Sequence, residues 1–208
     1  MPAVTEMASS DGRTTPRPKV VVAEDEALIR LDLVELLTEQ GYDVVGQAAD
    51  GEEAVALART LDPDVVVMDV KMPKVDGITA AEQITEERIA PVVMLTAFSQ
   101  RDLVERAAAA GAMAYVVKPF DASDVVPAIE LAIARFDQLL SVEAEVSDLE
   151  DRLATRKAVD QAKGLLQEGG MTEAEAFRWI QKTAMDLRKS MREVAEAVVS
   201  HKKPSKRS

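Results

Sequence analysis

Four short apolar runs constrain this chain more than any other feature: Val20-Val21-Val22, Val65-Val66-Val67-Met68, Val92-Val93-Met94-Leu95 and Tyr115-Val116-Val117. None alternates with polar residues, which is the pattern of parallel strands buried on both faces. Each run leads into polar residues: Glu24 and Asp25 after the first, then Asp69, Thr96 and Lys118. In an open parallel sheet, ligands bind outside the carboxyl ends of the strands. One sheet edge would therefore gather three carboxylates, a hydroxyl and an ammonium, the ingredients of a magnesium-dependent phosphoryl site.

Helical patterns alternate with these strands from Lys19 to about Asp137: Ala27 to Gln40, Gly51 to Thr60, Ile78 to Glu87, Gln100 to Ala110, and Ser123 onward. The segment Tyr42 to Ala48 supplies a fifth strand. Turn signals separate the elements at Gln40-Gly41, Asp50-Gly51, Asp62-Pro63, Met72-Pro73, Asp76-Gly77 and Ala110-Gly111. Leu28, Leu31, Leu33, Leu36 and Leu37 are expected to form one apolar stripe, and Ala54, Val55, Leu57 and Ala58 another. Strand and helix repeated in this way predict a doubly wound α/β domain with a five-stranded parallel sheet.

The last of these helices does not stop where a compact domain would end. Ile129, Ile133, Phe136, Leu139, Val142, Val146, Leu149 and Leu153 continue at spacings of three or four, a coiled-coil-like seam whose outside is kept wet by Glu143, Glu145, Asp148, Glu150 and Asp151. A single helix cannot bury such a stripe, so either a second copy of the chain or the following helices must cover it. The long helix is expected to run through Leu166 and to be followed by helices over Glu173 to Met185 and Met191 to Val199. Thr172 with Glu175, and Ser190 with Glu193, are capping-box signatures, and Gly169-Gly170 terminates the first helix. The result is a small helical bundle with Phe177, Trp179 or Ile180 in its core. A frayed basic tail follows, in which His201 has no catalytic role.

The chain's 208 residues admit one large domain or two modest ones, at about 100 to 200 residues per domain. It has no cysteine, which excludes disulfides and thiolate metal sites. Residues 1–17 are polar and proline-punctuated, unlike a signal peptide, and no later run approaches the ~18 apolar residues of a membrane span. These features suit a soluble, cytoplasmic protein. Charge divides unevenly: residues 1–155 carry 13 basic and 30 acidic side chains for a net −17, while residues 156–208 carry 12 and 7 for +5. The acidic part suits a cation and the basic part suits phosphate or nucleic acid, although on charge alone a solvated helix surface with a basic tail is the better account of the second.

Magnesium prefers hard oxygen ligands and retains several waters. Asp25 and Asp69 would bind it directly, Glu24 through water, and the Lys71 carbonyl would complete the protein's ligands. Asp69, kept ionised, can attack a phosphorus centre, while Lys118 and the Thr96 hydroxyl neutralise and hydrogen-bond the phosphoryl oxygens. The residues around this set, Val22-Ala23-Glu24-Asp25-Glu26, Met68-Asp69-Val70-Lys71-Met72-Pro73, Leu95-Thr96-Ala97 and Lys118-Pro119-Phe120, make residues 18–137 resemble a receiver domain of bacterial two-component signalling. That resemblance implies a flavodoxin-like strand order, Asp69 as phospho-acceptor and a sensor histidine kinase as donor. It also implies Tyr115 as an aromatic switch coupled to Thr96, a position that spacing alone explains equally well as a half-buried core tyrosine. Glu24 stands where the family often has aspartate. A phospho-acceptor of this kind is a signalling protein, not an enzyme with a separate substrate; it catalyses only its own phosphoryl transfer and slow dephosphorylation.

Beyond a linker helix over residues 138–155, the basic side chains fall within three short helices of residues 156–200, and residues 201–208 form the tail. Arg156 and Lys163, seven apart, share a helix face, as do Arg178 and Lys182 at four apart. Spacing does not separate RNA from DNA, or either from an acidic protein, and the glycine turn could be taken for a helix-turn-helix. Ala162-Lys163-Gly164-Leu165-Leu166, Glu175-Ala176-Phe177, Thr183-Ala184-Met185 and Glu193-Val194-Ala195 resemble the ANTAR domain, an RNA-binding antitermination module, with the linker as the start of that region. This resemblance implies RNA contacts through Arg156, Lys157, Lys163, Gly164, Arg178, Lys182 and Arg188. The partner would be a hairpin near a terminator, bound in the setting of a phosphorylation-dependent homodimer. The alternatives are a DNA-binding regulator, and a phosphorelay or protein-interaction module that touches no nucleic acid.

Overall fold

The computed structural model describes residues 17–97 and 110–201. The helical pattern Gln100 to Ala110 lies outside them except for its last residue, as do nearly all of both tails. The described elements are β1 (Lys19–Ala23), α1 (Ala27–Glu39), β2 (Asp43–Ala48), α2 (Gly51–Leu61), β3 (Val65–Asp69), α3 (Gly77–Glu86), β4 (Val92–Ala97), β5 (Ala114–Lys118), α4 (Ala122–Glu168), α5 (Glu173–Leu187) and α6 (Met191–His201). The chain divides into two compact units between Gln138 and Leu139, and α4 contributes to both.

In the first unit the five strands are all parallel, in the order β2-β1-β3-β4-β5. Their β-branched runs leave two apolar faces to cover. Val21, Val66, Met68 and Met94 on one face meet Ala54, Val55, Ala58, Ile78 and Ile84 of α2 and α3. Val20, Val22, Val67, Val93 and Leu95 on the other meet Leu33 and Leu37 of α1 with Val125, Ile129 and Ala132 of α4. Sequence order reverses at β1 and β3, the point where ligands bind in open sheets of this kind.

The α1 stripe is narrower than its leucines suggest. Leu33 and Leu37 are buried, but Leu28 is 77% exposed and Leu31 60%, because one layer of a helix offers only a limited arc to the sheet. The α4 seam behaves similarly. Ile129 and Phe136 are buried within the first unit, whereas Val142, Val146, Leu149 and Leu153 stand between 48% and 55% exposed.

In the second unit, α4 ends in a Schellman motif. Gly170 has φ +100°, where a side chain would be strained, and Gly170 N–H and Met171 N–H donate to the Gln167 and Leu166 carbonyls. Both capping boxes form: Thr172 with Glu175, and Ser190 with Glu193, whose carboxylate accepts from Ser190 N–H at 2.8 Å while Glu193 N–H donates to Ser190 Oγ at 3.2 Å. The core comprises Ala158, Val159, Ala162, Ile180, Ala184, Val194 and Ala195. Of the three expected core residues, Ile180 is fully buried, while Phe177 and Trp179 are 43% and 40% exposed. The core is filled by Ile180 and small residues, and the two rings lie at the surface of the unit.

Candidate functional site

The strand ends deliver the expected set to one place. Asp69 closes β3, Glu24 and Asp25 follow β1, and a carboxylate oxygen from each lies within 4.8 Å of the others. Glu24 is fully buried, Asp69 nearly so, and Asp25 is exposed. The end of β3 is held tightly against α3: a Cβ on Gly77 would lie 1.9 Å from the Asp69 carbonyl oxygen, so only glycine fits there.

Lys118, at the end of β5, places Nζ 2.7 Å from Asp69 Oδ1 and 2.6 Å from Glu24 Oε2. The other Asp69 oxygen, Oδ2, accepts from Lys71 N–H at 2.9 Å. Both oxygens of the phospho-acceptor candidate therefore have fixed donors. Glutamate at position 24, one methylene longer than aspartate, reaches the ammonium directly. Burial raises the Glu24 pKa above the ordinary carboxylate value; the Lys118 hydrogen bond works against this and the neighbouring Asp69 charge adds to it. Burial also works against the Lys118 ammonium, but its hydrogen bonds to Asp69 and Glu24 prevail and its pKa is raised. The ammonium of Lys118 thus stands against Glu24 and Asp69, and the carboxyl oxygens gathered with Asp25 are hard donors of the kind that suits magnesium. A cleft of about 430 Å³ beside it is lined by Asp25, Lys71, Met72, Pro73 and Asp76.

Thr96 is buried on β4 and Tyr115 is 56% exposed on β5. In the ladder Met94 pairs with Tyr115 and Thr96 with Val117, so Thr96 and Tyr115 share the Met94 face of the sheet. That is the face opposite α4.

The basic residues of the second unit fall into two groups. Lys163 is held by Asp160 at 3.0 Å and Glu173 at 2.9 Å, with its side chain only 18% exposed, and Arg192 is bound to Asp151 and Glu196. Lys157, Lys182, Arg188 and Lys189 are exposed and make no ion pair with the described residues. Arg156 reaches Asp160 only at 4.0 Å, and Arg178 Nε donates to the Ala174 carbonyl at 3.2 Å. Nothing stands within 4 Å of a Cβ built on Gly164, so the surface there is open. Arg188 ends α5 in the left-handed region, φ 52°. His201 closes α6, with Nδ1 2.9 Å from the Ala197 carbonyl. Among the described residues no helix is long and apolar enough to cross a membrane.

Sequence reasoning did not find the brace between Asp50 and Lys74. Asp50 caps α2 by accepting from Glu53 N–H at 2.9 Å, and it meets Lys74 Nζ at 2.6 Å on the loop that carries Lys71. The Asp-Gly turn signal marks the cap; nothing local marks a partner 24 residues away.

The response regulator receiver domain family matches residues 20–130, and the ANTAR domain family matches residues 147–199. The transcriptional regulatory protein PdtaR of Mycobacterium tuberculosis is 62% identical over 182 residues, covering 87% of this chain and 89% of that protein. Among solved structures, the signal receiver domain of a modulated diguanylate cyclase from Desulfovibrio desulfuricans aligns with TM-score 0.55 and 30% identity, over 59% of this chain and 98% of that one. CheY from Borrelia burgdorferi, solved as a CheX-CheY-BeF3-Mg complex, aligns with TM-score 0.51 and 33% identity over 54% of this chain and 86% of that one. With a parallel sheet that gathers Glu24, Asp25, Asp69 and Lys118 at one edge and a capped helical unit after it, this chain belongs to the response regulators, as a receiver domain followed by a C-terminal ANTAR domain.

Proposed function

We propose that a sensor histidine kinase phosphorylates this regulator on Asp69, and that the phosphorylated form binds hairpin RNA through residues 156–200 to control transcription antitermination. The observation that carries this reading is the geometry at Asp69, a carboxylate with one oxygen on a backbone N–H and the other on an ammonium shared with Glu24. Glu24, Asp25, Asp69 and the Lys71 carbonyl would hold Mg²⁺, which when bound offsets the charge of the carboxylates and the phosphoryl group. An Asp69 oxygen attacks the phosphorus of the kinase phosphohistidine, the P–N bond breaks, and the imidazole leaves with the electron pair. Lys118 and Thr96 then take up the phosphoryl oxygens. Thr96 and Tyr115, on one sheet face, are the switch pair. The CheY complex crystallised with BeF3 and Mg supports this chemistry in a receiver 33% identical to this one.

RNA is favoured over DNA because the ANTAR match spans the unit with the unpaired cations, and hairpin loops offer bases that can be splayed out and read. Duplex RNA would be read mainly by shape. The half-exposed stripe from Val142 to Leu153 supports a second copy of the chain as its cover. Burying the remaining half of such side chains contributes about 1 kcal/mol each, half or less of the value for full burial. Pairing two bundles raises avidity for adjacent hairpins by about 100-fold or more without new contacts.

The test is phosphotransfer from a histidine kinase followed by sequencing of RNA crosslinked to the product. Asp69→Asn, or removal of divalent cation, is expected to abolish acid-labile labelling and with it the enrichment of hairpin RNA. Full labelling in chelator would refute the phosphoryl site. Labelled protein that crosslinks no RNA would refute the output.

A further inference from the structure

A groove between α5 and α6 takes no part in the reading above. It encloses about 380 Å³, walled by Trp179, Thr183 and Leu187 on one helix and by Val194, Ala197 and Val198 on the other. That volume lies at the lower end of the ~300–1,000 Å³ of small-molecule sites, which suits one planar heterocycle better than a helix. Lys189 lies at the closed end of the helical hairpin, in the turn between α5 and α6, and His201 at its open end. The one carboxylate in the lining, Glu193, is committed to Ser190 N–H and Oγ at 2.8 and 2.9 Å.

The position of Trp179 relates this groove to the basic face. Arg178 and Lys182 are four residues apart on α5, and Trp179 is three from Lys182 and four from Thr183, so the indole stands between the cations and the groove. It is 40% exposed although it is the largest apolar side chain in the unit. Lys182 is exposed and makes no ion pair with the described residues, and Lys189, in the groove lining, forms none either but is near enough to Glu193 to add to the Ser190 hydrogen bonds in lowering its pKa. An exposed aromatic ring beside unpaired cations matches a strand of nucleic acid, with phosphates on the cations and a base on the ring.

We infer that this groove is a nucleobase pocket, in which one unpaired base of an RNA loop leaves its stack and lies against Trp179 between α5 and α6, with flanking phosphates on Lys182 and Lys189. The assignment rests on the RNA-binding reading and adds to it the site where sequence in the loop is read. Shape and charge hold the stem; the groove selects the base.

Trp179 is the only tryptophan of the chain, so its emission reports on the groove alone. The phosphorylated full-length chain is titrated with a pool of RNA hairpins of fixed stem and randomised loop, and separately with the same stem as a blunt duplex. Hairpins are expected to quench the tryptophan and the duplex to leave it unchanged. The tightest hairpin is then resynthesised with each loop nucleotide made abasic in turn. One abasic position is expected to weaken the wild-type chain about tenfold, as stacking on an aromatic ring predicts. The same position should have little effect on Trp179→Leu, and Trp179→Phe, which keeps a ring, should retain most of the penalty. Two results overturn the pocket while leaving RNA binding in place: tight hairpin binding with unchanged emission, or abasic penalties equal in wild type and Trp179→Leu. A fall in mass by light scattering in unliganded Trp179→Leu would make the groove a contact between copies, and also overturns it. If wild type binds no hairpin, the RNA reading fails and the pocket fails with it.

Discussion

The receiver and the helical bundle use charge in opposite ways. In the receiver a few polar atoms sit at the ends of buried strands, where Glu24 is fully covered and Asp69 nearly so, and each has a defined partner. In the bundle the cations available to a ligand, Lys157, Lys182, Arg188 and Lys189, are exposed and make no ion pair with the described residues. Their cores differ in the same sense. The sheet buries Leu33, Leu37, Leu95, Ile129, Met68 and Met94, whereas Ile180 is the one large buried side chain in a bundle core of alanines and valines. A buried site concentrates function in single residues. An exposed one spreads function over many, on a scaffold with little stability to spare.

Ile180→Ala is the most severe test of that contrast. Truncating a buried isoleucine costs about 2–5 kcal/mol, a large share of what so small a core can supply. The expected outcome is loss of the bundle's helical signal and of RNA binding, with phosphotransfer to Asp69 retained. Leu95→Ala, at a similar cost within the larger core, should lower the melting temperature of a receiver that still folds. Equal fates for the two variants in thermal unfolding would end the distinction.

The α4 stripe is the next test, because it lies in the second unit yet belongs to neither core. Leu149→Glu with Leu153→Glu should leave phosphotransfer intact and remove the phosphate-dependent gain in RNA affinity, a loss of about 100-fold if pairing of two bundles supplies it. Monomeric phosphorylated wild type on RNA, measured by light scattering, would instead favour release of an autoinhibited bundle. Thr96 and Tyr115 share the sheet face opposite α4, so they do not report directly to the face on which that helix packs.

How much was legible follows from the same contrast. Unbroken valine runs identify buried parallel strands whatever surrounds them, and the parallel order brings their polar ends together, so the meeting of Glu24, Asp25, Asp69 and Lys118 could be read from residues and spacing. Capping boxes and glycine stops are equally local, and all of them formed. Burial on a helix is not local. Leu28 and Leu31 follow the same spacing as Leu33 and Leu37 yet face outward, because the sheet covers only one arc of α1. Phe177 and Trp179 lie at the surface, while the core between the helices is filled by Ile180 and the small Ala176, Ala184 and Ala195. Which cations are free depends on partners distant in the chain, as Lys163 with Glu173 illustrates.

Lys163 and Lys182 convert that last point into a measurement with a smaller effect. Lys182→Ala should weaken RNA binding a few-fold and make the salt dependence shallower by about one phosphate contact. Lys163→Ala removes an ammonium already neutralised by Asp160 and Glu173, so it should leave the salt slope nearly unchanged. Equal slopes for the two variants would mean that Lys163 leaves its carboxylates for RNA.

The smallest effect is expected where the receiver itself uses an exposed charge. Lys74, 63% exposed in its side chain, meets Asp50 at 2.6 Å, and hydrogen bonds from Lys74 and from Glu53 N–H hold the Asp50 pKa below its ordinary 3.8. A carboxylate depressed in the folded state adds stability that is present above its unfolded pKa and is lost as pH falls through the folded one. Asn at position 50 keeps a side-chain oxygen for the α2 cap but gives up the charge. Asp50→Asn should therefore melt slightly below wild type at neutral pH. The gap should close as pH falls below 3.8, and it should narrow in high salt, because the Lys74 end of the pair is exposed and screened although Asp50 is buried. Were it to persist unchanged into acid, the carboxylate charge would not be the cause, and the brace on the Lys71 loop would rest on packing alone.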